Sequence, residues 1–212
     1  MIVLFGGEKG GAGKSTLATN IAAIRTFDQP HTLLIDTDRQ STASFWCSIR
    51  NDHTINPRIN SIQQYGTEVR DKIISLNHEF QDIIIDAGGR DSPELRASLL
   101  ISNIAIFPLR PSQFDLWTIG RIGILVEKAK EINESLEAYI VVNLASTHPW
   151  VQEISNMRAL TQDFKMLKIF NTNIYDRIVY RKAALNGLSV IEYKPQDPKA
   201  TNEITNLYKE IF

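Results

Sequence analysis

The 212-residue chain holds a single cysteine, Cys47, so it has no internal disulfide and no cysteine pair for zinc or an iron–sulfur cluster. Such thiol usage fits a reducing cytosol. No run approaches the ~20 apolar residues of a membrane span. Met1 leads straight into an apolar segment that reads as the first core strand, so no signal peptide is expected. No stretch is rich enough in Ser, Gly or Pro to link two domains, and no internal repeat is present. Excess charge of one sign is missing too: Lys+Arg total 23 against Asp+Glu 24, so whole-molecule attraction cannot drive nucleic-acid binding, although a local basic face can. The four histidines, His31, His53, His78 and His148, show no metal-ligand spacing.

At 43% apolar and 22% charged, a chain of this length buries one sizeable core, and a single domain over 1–212 is expected. Apolar runs alternate with helical patterns throughout, the signature of an α/β fold with a mostly parallel twisted sheet and helices on both faces. The runs predict strands at Ile2 to Phe5, Thr32 to Ile35, Arg58 to Ser61, Asp82 to Ile85, Asn103 to Phe107, Tyr139 to Val142 and Met166 to Phe170. Helices of about 10 to 18 residues are expected between them. One runs from Gly13 to about Thr26, with Leu17, Ile21 and Ile24 on a shared face. Another spans about Ser112 to Glu131, with Leu116, Ile119, Ile122, Leu125 and Val126. The last runs from about Ala200 to Phe212, with Ile204, Leu207, Tyr208 and Ile211.

Between the first strand and first helix lies Glu8-Lys9-Gly10-Gly11-Ala12-Gly13-Lys14-Ser15-Thr16. Closely spaced glycines let backbone N–H groups converge on phosphate oxygens. The helix end adds its dipole, Lys14 a mobile charge, and Ser15 a hydroxyl for Mg²⁺. Glu8 stands where phosphate loops usually carry glycine, and Lys9 is a second lysine in the loop. The pattern Lys-Gly-Gly-x-Gly-Lys-Ser-Thr resembles the deviant Walker A of the ParA/MinD family of dimeric ATPases. The resemblance implies the fold of P-loop NTPases, ATP and Mg²⁺ as ligands, and an ATP-dependent homodimer in which Lys9 reaches the phosphates of the other subunit.

The second strand ends in Asp36-Thr37-Asp38-Arg39-Gln40-Ser41, beyond the sheet edge where ligands bind in this architecture. Similarity to the family's switch I assigns Asp36 to the metal's water shell and Asp38 to orienting the attacking water. Helix capping by Asp38 or Ser41 is the local alternative. Asp82-Ile83-Ile84-Ile85-Asp86-Ala87-Gly88-Gly89 resembles a Walker B strand, which gives Asp86 to Mg²⁺. Gly88 and Gly89 suit a loop that moves with the γ-phosphate. A buried strand followed by a turn fits the same residues. Small ParF-like partition ATPases tolerate this Ala-Gly-Gly version.

Phe107-Pro108-Leu109-Arg110-Pro111-Ser112 looks like the family's Pro-x-x-Pro segment, or a plain strand-to-helix connection. Asn143 falls where the family reads adenine with an amide, which both donates and accepts; a turn asparagine is the alternative. The loop Lys194 to Pro198 is a further candidate for a wall of the base pocket. Late basic residues Arg177, Arg181, Lys182, Lys194, Lys199 and Lys209, with Tyr175 and Tyr180 interleaved, read locally as a solvated face. By resemblance, Arg177, Arg181, Lys182, Lys199 and Lys209 are candidates for sequence-blind contacts to double-stranded DNA.

The family reading thus implies a catalytic set of Lys9, Lys14 and Asp38. Cofactor contacts are expected from residues 9–16, Asp86 and Asn143, and metal contacts from Ser15, Asp36 and Asp86. It implies a cytoplasmic, nucleoid-associated ATPase that positions cargo, plasmids first and carboxysomes as another load, with hydrolysis stimulated by a ParB-like or adaptor protein. No N-terminal helix-turn-helix domain is expected. A membrane-surface ATPase like MinD would carry a separate basic amphipathic helix after the core. Here Lys209-Glu210-Ile211-Phe212 sit within the last predicted helix, so no membrane is expected as a partner. A metabolic synthetase on the same scaffold would need a further acid/base cluster, which the sequence lacks.

Overall fold

A computed structural model describes residues 1–66, 68–89, 91–148, 153–162 and 164–212; within these, the side chains of Gln113, Phe114, Leu116, Glu153, Asn156 and Leu160 lie outside the described set. Seven strands form one sheet: β1 (Ile2–Phe5), β2 (Thr32–Asp36), β3 (Asn60–Gln63), β4 (Asp82–Asp86), β5 (Ile104–Leu109), β6 (Glu137–Ala145) and β7 (Lys168–Tyr175). Their order is β3-β2-β4-β1-β5-β6-β7, and every pairing is parallel. The connecting helices among the described residues are α1 (Lys14–Asp28), α2 (Thr42–Asp52), α3 (Val69–Leu76), α4 (Pro93–Leu99), α5 (Gln113–Lys130), α6 (Glu153–Thr161), α7 (Ile178–Ala184) and α8 (Pro198–Ile211). This is the P-loop NTPase architecture of the MinD/ParA type.

The core is double because strand side chains alternate between faces. Val3, Phe5, Leu34 and Ile84 pack under α1, α2 and α8, whereas Ile2, Leu4, Leu33, Ile35, Ile83 and Ile85 face α3, α4 and α5. Burial on both sides explains the unbroken apolar runs. The predicted helix faces are the buried ones: Leu17, Ile21 and Ile24 in α1, Ile119, Ile122 and Val126 in α5, and Ile204, Leu207, Tyr208 and Ile211 in α8.

Several boundaries differ from expectation. Strand β3 starts at Asn60, two residues after Arg58; as an edge strand paired only with β2 it is largely exposed and carries little apolar signal. Strand β6 runs on past Val142 through Asn143 to Ala145. Strand β7 starts at Lys168 and continues beyond Phe170 to Tyr175. The polar extension of β7 is held from outside, since Glu210 on α8 accepts the backbone N–H groups of Asn171 and Thr172, each at 2.8 Å. Helices α3, α4, α6 and α7 have 7 to 9 residues, fewer than the expected ten.

Strand β1 lies between β4 and β5, and the chain crosses over it on passing from β4 to β5. The loops after β1, β2, β4 and β5 therefore meet over one crevice at the carboxyl edge of the sheet, where ligands bind in open parallel sheets.

Candidate active site

The loop after β1 turns into α1 through Gly13, whose φ of 89° is left-handed. The backbone disfavours any side chain there, and a Cβ would fall 2.2 Å from Nδ2 of Asn143, whose amide would have to move. With glycine as the cap residue, no side chain caps α1, and the first-turn N–H groups face the loop's interior. Residues 10–16 follow β1 as expected for a phosphate cradle, with Ala12 buried and Gly11 anchored at its carbonyl by Arg110, 2.8 Å away. Thr16 accepts the amide of Asn20 on its carbonyl, one helical turn on.

Lys14 is only 6% exposed, and its ammonium donates to the Lys9 carbonyl at 2.9 Å. Burial lowers its pKa, and the charges of Asp86 and Asp38 pull the other way. The Lys9 ammonium lies 3.7 Å from Asp115, near the start of α5, whose second carboxyl oxygen takes the Ser112 hydroxyl at 2.5 Å. The Glu8 carboxylate, largely covered, lies 3.5 Å from the exposed Arg121 guanidinium.

Asp36 ends β2 at 1% exposure. One oxygen accepts the Asp38 N–H at 3.0 Å, and the other accepts both the N–H and the hydroxyl of Ser44 at 2.8 Å. Asp36 thus holds the first turn of α2, the role the local alternative gave to Asp38 or Ser41. Ser41 sits at φ 54° with no capping bond, its hydroxyl against Tyr65; Asp38 instead accepts the Gln40 N–H at 3.0 Å. Asp38 also approaches the loop after β4, since a Cβ on Gly88 would lie 3.4 to 3.6 Å from its carboxyl atoms. Gly89 packs against the phosphate loop itself: a Cβ there would come within 2.7 to 2.9 Å of Lys9 and Gly10 backbone atoms.

Asp86 is fully buried; neither carboxyl oxygen makes a hydrogen bond of good geometry among the described residues, and the Ser15 hydroxyl is the donor at hand. Burial pushes its pKa up to about 7, helped by the charges of Asp36 and Asp38 and opposed by Ser15 and Lys14. A buried carboxylate without donors is costly unless a cation or its water shell meets it. Among the described residues no group of three or more His, Cys, Asp and Glu could chelate an ion unaided. Mg²⁺ keeps waters and takes substrate phosphates as ligands, so a few protein oxygens can hold it. Ser15, Asp36 and Asp86 are the residues that could hold it, Asp36 with both oxygens already accepting bonds from Asp38 and Ser44.

On the other flank, Asn143 donates its amide to the Ala12 carbonyl at 2.7 Å and is 2% exposed. It borders a pocket shared with Gly13, Thr16, Leu144, Tyr175 and Arg177. That pocket's other wall comes from the end of β7 and from α7, and Lys194 to Pro198 do not line it. Arg177 also departs from expectation. Its guanidinium makes two bonds to Glu203, at 2.9 and 2.6 Å, and is not presented to solvent as a DNA-contacting cation. Arg181 is exposed but paired with Asp176 at 2.7 Å, and Tyr180 is a core residue. Lys182, Lys199 and Lys209 are exposed, the last two on the outer stripe of α8 with Asn202 and Asn206.

Sequence reasoning missed Arg110, Asp115 and Ser44. Only the Ser112-x-x-Asp115 spacing, a helix-capping pattern, offered a signal.

A protein of Halothiobacillus neapolitanus, "maintenance of carboxysome distribution protein A", is 27% identical to this chain, over 96% of the chain and 93% of its own length. Among solved structures, apo McdA of Cyanothece superposes with a TM-score of 0.79 at 14% identity, covering 100% of this chain and 99% of its own. The cell division ATPase MinD of Pyrococcus furiosus gives 0.75 at 17% identity, covering 99% and 97%. The family model of the CobQ/CobB/MinD/ParA nucleotide binding domain matches residues 3–202, and the chain belongs to that family.

Proposed function

We propose that this chain is a ParA-type ATPase that closes into a homodimer on MgATP, grips DNA without sequence preference, and positions cargo through hydrolysis stimulated by a partner protein. The observation that carries the reading is the carboxylate of Asp86, buried with only the Ser15 hydroxyl as a donor at hand and within electrostatic reach of Lys14, Asp36 and Asp38. The charges are arranged for a triphosphate and its metal.

In this reading Lys14 leaves the Lys9 carbonyl for phosphate oxygens, and residues 10–16 offer their N–H groups. When bound, Mg²⁺ would offset phosphate charge, held through Ser15 and through waters on Asp36 and Asp86. Asp38 orients water for in-line attack on the terminal phosphorus while the bond to the ADP oxygen breaks. Lys9 exchanges Asp115 for the phosphates of the second copy, adding positive charge where the transition state gathers negative charge. Asn143 and the pocket beside it take the base. The exposed cations Lys182, Lys199 and Lys209, with Arg181, form the DNA face.

The carboxysome-distribution relative supports a cargo-positioning role. A plasmid or a carboxysome-like body is the proposed load. The test is a gel shift of non-specific duplex DNA with ATP, ADP or no nucleotide at several salt concentrations, paired with sedimentation. DNA binding and dimerisation only with ATP, with binding that falls steeply with salt, is the expected result. Equal DNA binding in all three states, or a single copy with ATP at high concentration, would overturn it.

A further inference from the structure

Asn143 stands in strand β6, whose backbone is irregular at that point. The pairing of β6 with β7 slips in register between Ile140 and Val142 and again between Val142 and Ala145. The next residue, Leu144, is left-handed at φ 54°, a conformation that costs a branched side chain energy. Bulges re-aim side chains. Here the result is that the Asn143 amide points at the phosphate loop, 131 residues away in sequence, and donates to the Ala12 carbonyl at 2.7 Å while buried at 2% exposure. It lies so close to Gly13 that a Cβ there would displace the amide from this position.

The contact is made to the backbone of the loop and not within the pocket beside it. Ala12 sits among the residues whose N–H groups must converge on phosphate, and its peptide can rotate unless its carbonyl is held from behind. We propose that Asn143 is a positioning residue for the phosphate loop: its amide fixes the Ala12 carbonyl and so keeps the loop's N–H groups convergent, whatever base the ligand carries. The proposal rests on the nucleotide-binding reading above but assigns Asn143 to the phosphates, with any contact to the base made by what remains of the same amide.

The base-free ligand inorganic tripolyphosphate separates the two roles. Titration calorimetry of wild type and Asn143→Ala with ATP and with tripolyphosphate should show both weakened by a similar factor, about tenfold for one lost hydrogen bond to a buried acceptor. In steady state KM should rise and kcat at saturation stay within about twofold, while the melting temperature of the ligand-free protein falls by only a few degrees, since the Ala12 carbonyl loses a buried partner. Asn143→Ser, which keeps a short donor, should recover part of the tripolyphosphate affinity. Loss confined to ATP, with tripolyphosphate unchanged, would make Asn143 a base reader alone and overturn the proposal. So would unchanged affinity for both.

Should the variants fail to fold, wild-type protein carrying ¹⁵N-labelled asparagine decides the matter by nuclear magnetic resonance. One Asn143 amide proton should exchange slowly with and without tripolyphosphate; fast exchange of both overturns the brace. That measurement needs no nucleotide. A wild-type protein that binds no ATP would therefore sink the proposed function while the brace is judged separately.

Discussion

At the scale of single residues, the site is a balance between charges that have partners and one that does not. Asp38 makes one local backbone bond and faces Gly88, so its removal should leave the cradle intact. Asp38→Ala is expected to bind ATP within about threefold of wild type and to hydrolyse it about 100-fold more slowly, as loss of a water-positioning group does. Nucleotide binding and single-turnover assays check this, and wild-type turnover would remove Asp38 from the chemistry. Asp86 gives a pH-dependent signature. Its folded-state pKa near 7 lies above the ordinary 3.8, so between about pH 4 and pH 7 the folded chain keeps a proton that the unfolded chain has released. Stability of the ligand-free protein therefore falls as pH rises through that window, and the whole penalty stands above pH 7. Asp86→Asn should melt about 5 °C higher than wild type at pH 8, with the difference vanishing near pH 4. Calorimetry at the two pH values is the measurement.

At the scale of elements, a strand end governs a helix. Asp36 belongs to β2, yet it accepts both the N–H and the hydroxyl of Ser44, and so sets the start of α2. Burial pushes the Asp36 pKa up, and the Ser44 bonds counter that. Ser44→Ala removes one bond to a buried carboxylate and should cost about 1–2 kcal/mol in urea unfolding, with its largest hydrogen-exchange effect in the first turn of α2. No loss there would mean that the backbone N–H alone suffices. Strand β7 shows why element ends resist sequence reading. Its second half, Asn171 to Tyr175, has few apolar residues and exists because Glu210 and Glu203 on α8 supply acceptors for its backbone.

At the scale of the molecule, polar links tie the nucleotide side to the rest of the chain. Arg50 of α2 is fully buried and donates to the carbonyls of Pro57 and Gly187 and to both oxygens of Glu192. Asn20 of α1 holds Ser189 and Val190 of the same segment at 2.9 Å. Breaking such a pair leaves an uncompensated buried charge, so Arg50→Met should destabilise by about 3–5 kcal/mol. Adding Glu192→Met to it should recover part of the loss by removing the orphaned carboxylate. A double variant no more stable than the single one, in denaturant melts, would show that packing and not charge sets the cost.

The sequence by itself determined the alternating α/β plan and the placement of the phosphate loop, Asp36 and Asp86 at strand ends. These are local matters: φ-permissive glycines, apolar runs for doubly buried strands, and a helix start encoded within a few residues. Only the tertiary structure decided which charges are available. Lys9 meets Asp115, Arg110 holds Gly11, Asn143 holds Ala12, and Arg177 is spent on Glu203, although in sequence it looked like any other residue of a basic cluster. These partners are 26 to 131 residues apart. What a side chain can do depends on the desolvation and hydrogen bonds that folding imposes on it, and a linear pattern of residue types carries neither.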